Sequence, residues 1–181
     1  MNTKKTAFLS YATILATFLI ASPVFTAPSD PLIDSLFAEL KQAPDERTAI
    51  EIEQKIWSRW TQPDDSDLRT MMTSALKARR WYDYRSALDI LDQVVRQWPD
   101  YSEGWNQRAT IHFFLQNYEA SLWDISKALE FEPRHFGALA GRGVIRLRQG
   151  KPALAIQNIR KAMEIHPYLR ERHMIPSFKT N

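Results

Sequence analysis

No cysteine occurs among the 181 residues, and glycine and histidine are scarce, with five and four copies. Without thiols there is no disulfide framework, no thiolate nucleophile and no cysteine through which a lipid could be attached. Neither a Walker loop nor a nucleophile elbow is present, so the motif-bearing phosphate-binding and nucleophilic classes have no support. His112, His135, His166 and His173 are scattered without the His and carboxylate spacing of zinc sites, and read as structural or surface residues. Paired carboxylates such as Glu51 and Glu53, or Asp64 and Asp65, read as solvated surface; acid–base hydrolysis would need two that converge in a cleft. The expectation is a protein that is not an enzyme and needs no cofactor and no metal.

One apolar run stands out, from Ala7 to Ala21, behind Lys4 and Lys5 and ahead of the helix-breaking Pro23. It falls short of the roughly 20 residues that span a bilayer. Residues 1–27 therefore read as a secretory signal peptide, which implies a bacterial periplasm. An uncleaved inner-membrane anchor facing the periplasm is the alternative, because bulky Phe25 precedes Ala27 and Pro28 follows it. Nucleic acid is not an expected partner of an exported chain.

Charge is unevenly spread. Residues 28–66 hold nine acidic and four basic side chains, whereas residues 134–181 hold two and ten. The cationic end is able to steer an anionic partner such as lipid headgroups or wall polymer, and the plainer reading is a solvated face.

Pro99, Pro133 and Pro167 stand 34 residues apart. At the same interval Ala75, Ala109 and Gly143 align, as do Ala87, Ser121 and Ala155, and Val94, Ala128 and Ala162. Larger residues repeat between them: Met71, Trp105 and Leu139, then Leu91, Ile125 and Ile159. Within a unit the apolar residues fall three or four apart, as in Leu88, Leu91 and Val95, which is helical spacing. The pattern predicts helices near 67–80, 84–97, 102–115, 118–131, 136–149 and 152–165. Six tryptophans invite a ligand-stacking reading, but Trp57, Trp60 and Trp105 occupy apolar helix faces and read as core; Trp98 and Trp123 are less explained.

Residues 68–167 resemble the tetratricopeptide (TPR) family, best in the middle unit, where Trp105, Ala109, Tyr118, Ser121, Ile125, Ala128 and Pro133 fall on motif positions. The family's usual Leu and Tyr of the first helix are replaced by Ser74, Arg108, Arg142 and by Ala78, His112, Arg146. The resemblance implies an all-α fold, a right-handed α-solenoid of antiparallel helix pairs, with three units over residues 67–168 (about 68–99, 102–133 and 136–167). Residues 31–65, with the stripe Leu32, Ile33, Leu36, Phe37 and Leu40 ahead of Pro44, are expected to form a degenerate helical pair that caps the exposed end. Residues 169–181 are expected to give a covering turn and a loose tail.

The resemblance also implies a concave groove lined by the first helix of each pair. By register it nominates Arg69, Met72, Thr73, Leu76, Arg79 and Arg80, then Glu103, Asn106, Gln107, Thr110, Phe113 and Phe114, and finally Gly137, Ala140, Gly141, Val144, Leu147 and Arg148. The chaperone-tail clamp of some relatives is absent, since its places read Met72, Leu76, Gln107, Gly137 and Gly141. The leading expectation is a non-catalytic adaptor of the cell envelope that takes a peptide segment of another protein in the groove. Its alternatives are an accessory component binding anionic envelope polymer or lipid through the basic final third, and a groove packed on the chain's own termini.

Overall fold

The computed structural model describes residues 30–175. The expected leader and the segment 176–181 lie outside the described residues. Eight α-helices follow one another: α1 (Pro31–Lys41), α2 (Glu46–Thr61), α3 (Ser66–Arg80), α4 (Tyr84–Gln97), α5 (Ser102–Phe114), α6 (Tyr118–Phe131), α7 (Phe136–Arg148) and α8 (Pro152–Ile165). A 3-10 turn, Arg170–Met174, closes the described chain, and there is no strand among the described residues. The six repeat helices begin and end within one residue of the bounds that the spacing predicts.

Local chemistry sets the helix starts. Asp30, Asp45, Asp65 and Asp83 each accept first-turn amides as N-caps of α1 to α4, a contact whose loss costs about 1 kcal/mol. The helix α3 pairs with α4, α5 with α6 and α7 with α8, and the pairs stack through α4 on α5 and α6 on α7. All nine of the small residues that align at the 34-residue interval are buried. At Gly143 a Cβ would meet Ile159 at 2.7 Å, so α7 and α8 approach over a bare backbone.

Each hairpin turns through a left-handed residue at the same place in its unit: Tyr82 and Gln116, both at φ 61°, and Gly150 at φ 69°. Only glycine adopts this conformation without a steric cost of about 1–2 kcal/mol. Tyr82 carries that cost with its side chain 78% exposed, so the core gains nothing from it.

Where the family has Leu, the second and third units hold a polar pair instead. Arg108 forms a two-pronged bridge to the buried Asp124, with Nε on Oδ2 at 2.9 Å and Nη2 on Oδ1 at 2.7 Å, and its Nη1 reaches Asp92 at 2.8 Å. One unit on, Arg142 donates a single bond from Nε to the Asn158 amide oxygen. Both partners lie 16 residues downstream on the second helix of the pair, so in these two units a polar contact joins the helices.

The N-terminal pair does not cap the first unit. Ile33, Leu36, Phe37, Leu40, Ala49, Ile52, Ile56 and Trp60 share one core with Phe136, Leu139 and Ala140 of α7, Ile159 and Ala162 of α8, and Leu169. The physical reason is complementarity of two kinds. The apolar stripe needs a cover, and the acidic N-terminal block meets the basic final third: Asp34 with Arg134 at 2.6 Å, Glu46 with Arg172 at 3.0 Å and Glu53 with His166 at 3.2 Å.

A candidate binding cavity beside a crossing helix

The course of α2 follows from its contacts. Near its start Glu46 meets Arg172; about two turns on, Glu53 bonds His166. The ring of Trp60 then stacks on His135 at 4.1 Å, with Trp57 edge-on to the same imidazole at 5.7 Å. At the far end the Trp60 carbonyl accepts a hydrogen bond from the Tyr101 hydroxyl. Tyr101, His135 and His166 sit in the corners that follow the first, second and third units, so α2 runs along the row of corners, across the repeat helices. Its seat on α7 is Gly137, where a Cβ would lie 2.7 Å from the Trp57 ring.

Beneath α2 the concave side is closed. Glu103 is buried, accepts from Asn106 Nδ2 at 2.9 Å and from Gln107 Nε2, and bonds His135 Nε2 at 2.9 Å. His135 Nδ1 accepts from the Ala138 amide at 3.2 Å, which leaves the ring proton on Nε2 to be donated to Glu103. The carboxylate is therefore satisfied entirely from within the chain, as a buried charge must be.

Between α2, α5, α7 and the C-terminal turn a cavity of about 570 Å³ remains, within the ordinary range of about 300–1,000 Å³ for ligand pockets. Its apolar wall includes Ile50, Trp57, Phe113, Phe114, Phe136 and Val144; Asn106 and Thr110 supply polar groups, and Glu46, Glu53, Arg170, Glu171 and His173 also line it. Gly141 leaves room, since a Cβ there would meet only Ile125, at 3.8 Å.

Of the residues nominated by register, eight line this cavity: Asn106, Thr110, Phe113, Phe114, Gly137, Ala140, Gly141 and Val144. The other ten do not. Arg69, Thr73, Arg80, Leu147 and Arg148 are exposed outside it, and Leu76 is half-buried outside it. Met72 is fully buried in the core that α3 and α4 share with Ile111 of α5. Glu103 and Gln107 are enclosed as above, and Arg79 donates to the Gln107 amide oxygen. The α2 and C-terminal residues of the wall were not nominated at all. Glu53, read as solvated surface, is half-buried and bonded; the mismatch of charge between the two ends of the chain was the available signal.

The His166 ring bonded to Glu53 holds its carboxyl below the ordinary glutamate value of 4.5, with further pull from the Trp57 indole N–H and the charge of Arg170 against the effect of burial. A carboxylate with a depressed pKa stabilises the fold above about pH 4.5 and loses that contribution as pH falls through the folded-state value. Thermal melts from pH 6 to pH 3 are therefore expected to show a steeper loss for the natural chain than for Glu53→Gln. Parallel curves would show that the Glu53 contact adds nothing.

Among the described residues no group of three or more His, Asp or Glu side chains is placed to hold a metal ion, and no helix is long and apolar enough to cross a membrane.

No family model matches the chain. A TPR repeat-containing protein of Rhizobium etli is 36% identical over 135 residues, which cover 75% of this chain and 66% of that protein. The chain belongs to the tetratricopeptide repeat family. The small glutamine-rich tetratricopeptide repeat-containing protein 2 of Saccharomyces cerevisiae is 26% identical over 89 residues, 49% of this chain and 26% of the relative. The chain thus spans about two thirds of the Rhizobium TPR protein and about a quarter of the yeast one.

Solved TPR structures share the fold. The first TPR of Spaghetti (RPAP3), bound to the HSP90 peptide SRMEEVD, superposes with a TM-score of 0.58 at 18% identity, over 62% of this chain and 90% of that one. MamA superposes with a TM-score of 0.52 at 14% identity, over 81% and 84%.

Proposed function

We propose that this TPR protein is a non-catalytic adaptor of the bacterial cell envelope that holds a short peptide segment of another protein in the cavity beside α2. The observation that carries the reading is the cavity itself: an apolar wall of Phe113, Phe114, Val144 and Trp57 beside the amide of Asn106, which is able to donate and accept along a peptide backbone. The TPR fold supports the reading, because the RPAP3 relative holds a peptide. That peptide's mode of capture is not transferable, since Met72 and Gln107 stand at clamp positions and are buried. The envelope location rests on the leader-like sequence of residues 1–27.

The reading based on anionic polymer at the basic final third has less in its favour, because Arg134 and Arg172 are already engaged by Asp34 and Glu46.

Gly141→Leu is expected to fill the cavity and leave the thermal midpoint within a few degrees of the natural value, because the added side chain enters open space. With a photo-crosslinker at Val144, the full chain expressed in cells should capture one dominant envelope protein, and Gly141→Leu should lower that capture at least about tenfold, as loss of a central anchor does. Equal capture by both chains would remove the cavity from the account.

A further inference from the structure

The three hairpin turns, at residues 81–83, 115–117 and 149–151, lie on the edge of the solenoid opposite the corners that α2 follows. Ten large apolar side chains are exposed among the described residues, and six of them cluster on this edge: Trp81, Tyr82, Phe114, Leu115, Leu147 and Leu154. Two of them are linked across neighbouring units, with Tyr82 edge-on to Tyr84 at 6.3 Å and Tyr84 stacked on Phe114 of the next unit at 5.4 Å.

Charge separates the two edges as well. The turns and the helix ends that flank them, residues 77–87, 111–121 and 145–155, carry seven lysines and arginines against two carboxylates, Asp83 and Glu119. The matching stretches at the corners, residues 94–105, 128–139 and 162–173, carry four against six. Of the seven cations, Arg79 and Arg146 are tied to Gln107 and Gln149. Lys77, Arg80, Arg85, Arg148 and Lys151 are exposed and form no ion pair among the described residues. Asp83 is engaged in capping α4.

A third observation is independent of these two. Tyr82 and Gln116, both exposed, occupy the left-handed turn position that Gly150 fills in the third unit. Strain held by side chains outside the core points to a use outside the fold.

We propose that the hairpin-turn edge rests on an anionic lipid bilayer. Trp81 and Tyr82 enter the headgroup layer, and the free lysines and arginines face lipid phosphates. A row of amphipathic Trp and Tyr rings interleaved with cations is the chemistry of the membrane interface. A protein partner would call for an anchor pocket, whereas the turns project outward as tips. The docked edge leaves α2 and the corner edge turned away from the surface. Phe114 is the one apolar residue this edge shares with the cavity wall; Trp81, Tyr82, Leu115, Leu147 and Leu154 lie outside it.

The absence of cysteine permits a direct test with the full chain. A fluorophore that reports polarity is attached at Gln116→Cys on this edge and, separately, at Asp100→Cys on the corner edge. Vesicles of phosphatidylcholine, with or without one third phosphatidylglycerol, are added at low and at high salt. The probe at 116 should shift to shorter wavelength with the anionic vesicles only, and the shift should fade with salt. The probe at 100 should stay unchanged. Adding Arg80→Gln and Arg85→Gln, both on exposed side chains, should weaken the response at 116 on the order of tenfold.

A silent probe at 116 would overturn the proposal, as would equal responses at 116 and 100, the pattern of attachment through the leader alone. A shift at 116 that grows with protein concentration in the absence of lipid would assign the edge to a second copy instead, and would also overturn it.

Discussion

Replacing Trp60 with alanine is expected to destabilise the chain by about 3–5 kcal/mol, the range for removal of a buried large aromatic. Trp60 is nearly enclosed, and its ring meets Phe37 at 5.9 Å, Trp57 at 5.2 Å, Phe136 at 5.3 Å and His135 at 4.1 Å. It is the point where α1, α2 and the third unit share one core. The same ring shields the hydrogen bond from His135 to Glu103, so its loss admits water to a buried charge. For a chain of this length the midpoint of thermal unfolding should fall on the order of 10 °C. Trp60→Phe should recover most of the loss. A cost near 1 kcal/mol would mean that the N-terminal pair is laid on the solenoid and does not belong to its core.

Arg108→Leu should cost a similar amount for a different reason. Asp124 is 1% exposed and accepts two bonds from the Arg108 guanidinium, which also lies over the Trp105 ring at 4.9 Å. Burial already pushes the Asp124 carboxyl above the ordinary carboxylate range, against the pull of Arg108. Removing one partner of such a pair leaves a buried charge without compensation, at about 3–5 kcal/mol. Changing both residues, Arg108→Leu with Asp124→Ile, should restore stability to within about 1.5 kcal/mol, because an apolar pair of similar volume replaces a buried ion pair at little net cost. The first unit already holds Ser74 and Ile90 at these places, so the fold tolerates a join without charge. If the double change is as damaging as the single one, the pair does more than join two helices, and denaturant melts of the three chains decide the matter.

The repeats were legible because their determinants are local. Ala75, Ala109 and Gly143 recur at a fixed interval, and Gly150 and Pro152 mark a turn by residue type. These signals depend on contacts within a unit or between neighbours. The course of α2 depends on contacts with no local period: Trp57 against Gly137, and Glu53 against His166, 113 residues away. A glycine at a concave position reads the same in sequence whether it makes space for a guest or for the chain's own indole. Gly137 does the second and Gly141 leaves the first possible. Charge was the one global trace, since an acidic block at one end and a basic block at the other are what an intramolecular dock of the two ends requires.

Phe113 and Phe114 show the same divide within one helix. Register nominated them together with Glu103 and Gln107 on α5, yet the first two reach the cavity and the last two are bonded to each other, with Glu103 also held by His135, on which Trp60 of α2 stacks. Position in the repeat sets which way a side chain points. What meets it there is decided by a helix that carries no repeat.

Whether α2 is built into the core or only laid across the concave side is decided by amide hydrogen exchange of the full chain, followed residue range by residue range. Integral packing predicts that the amides of residues 49–60 exchange with the same free energy as those of residues 139–147, through global unfolding. Exchange of α2 through a separate, lower-energy opening, with the repeats still protected, would contradict it and would make the concave side a groove covered by a removable strap.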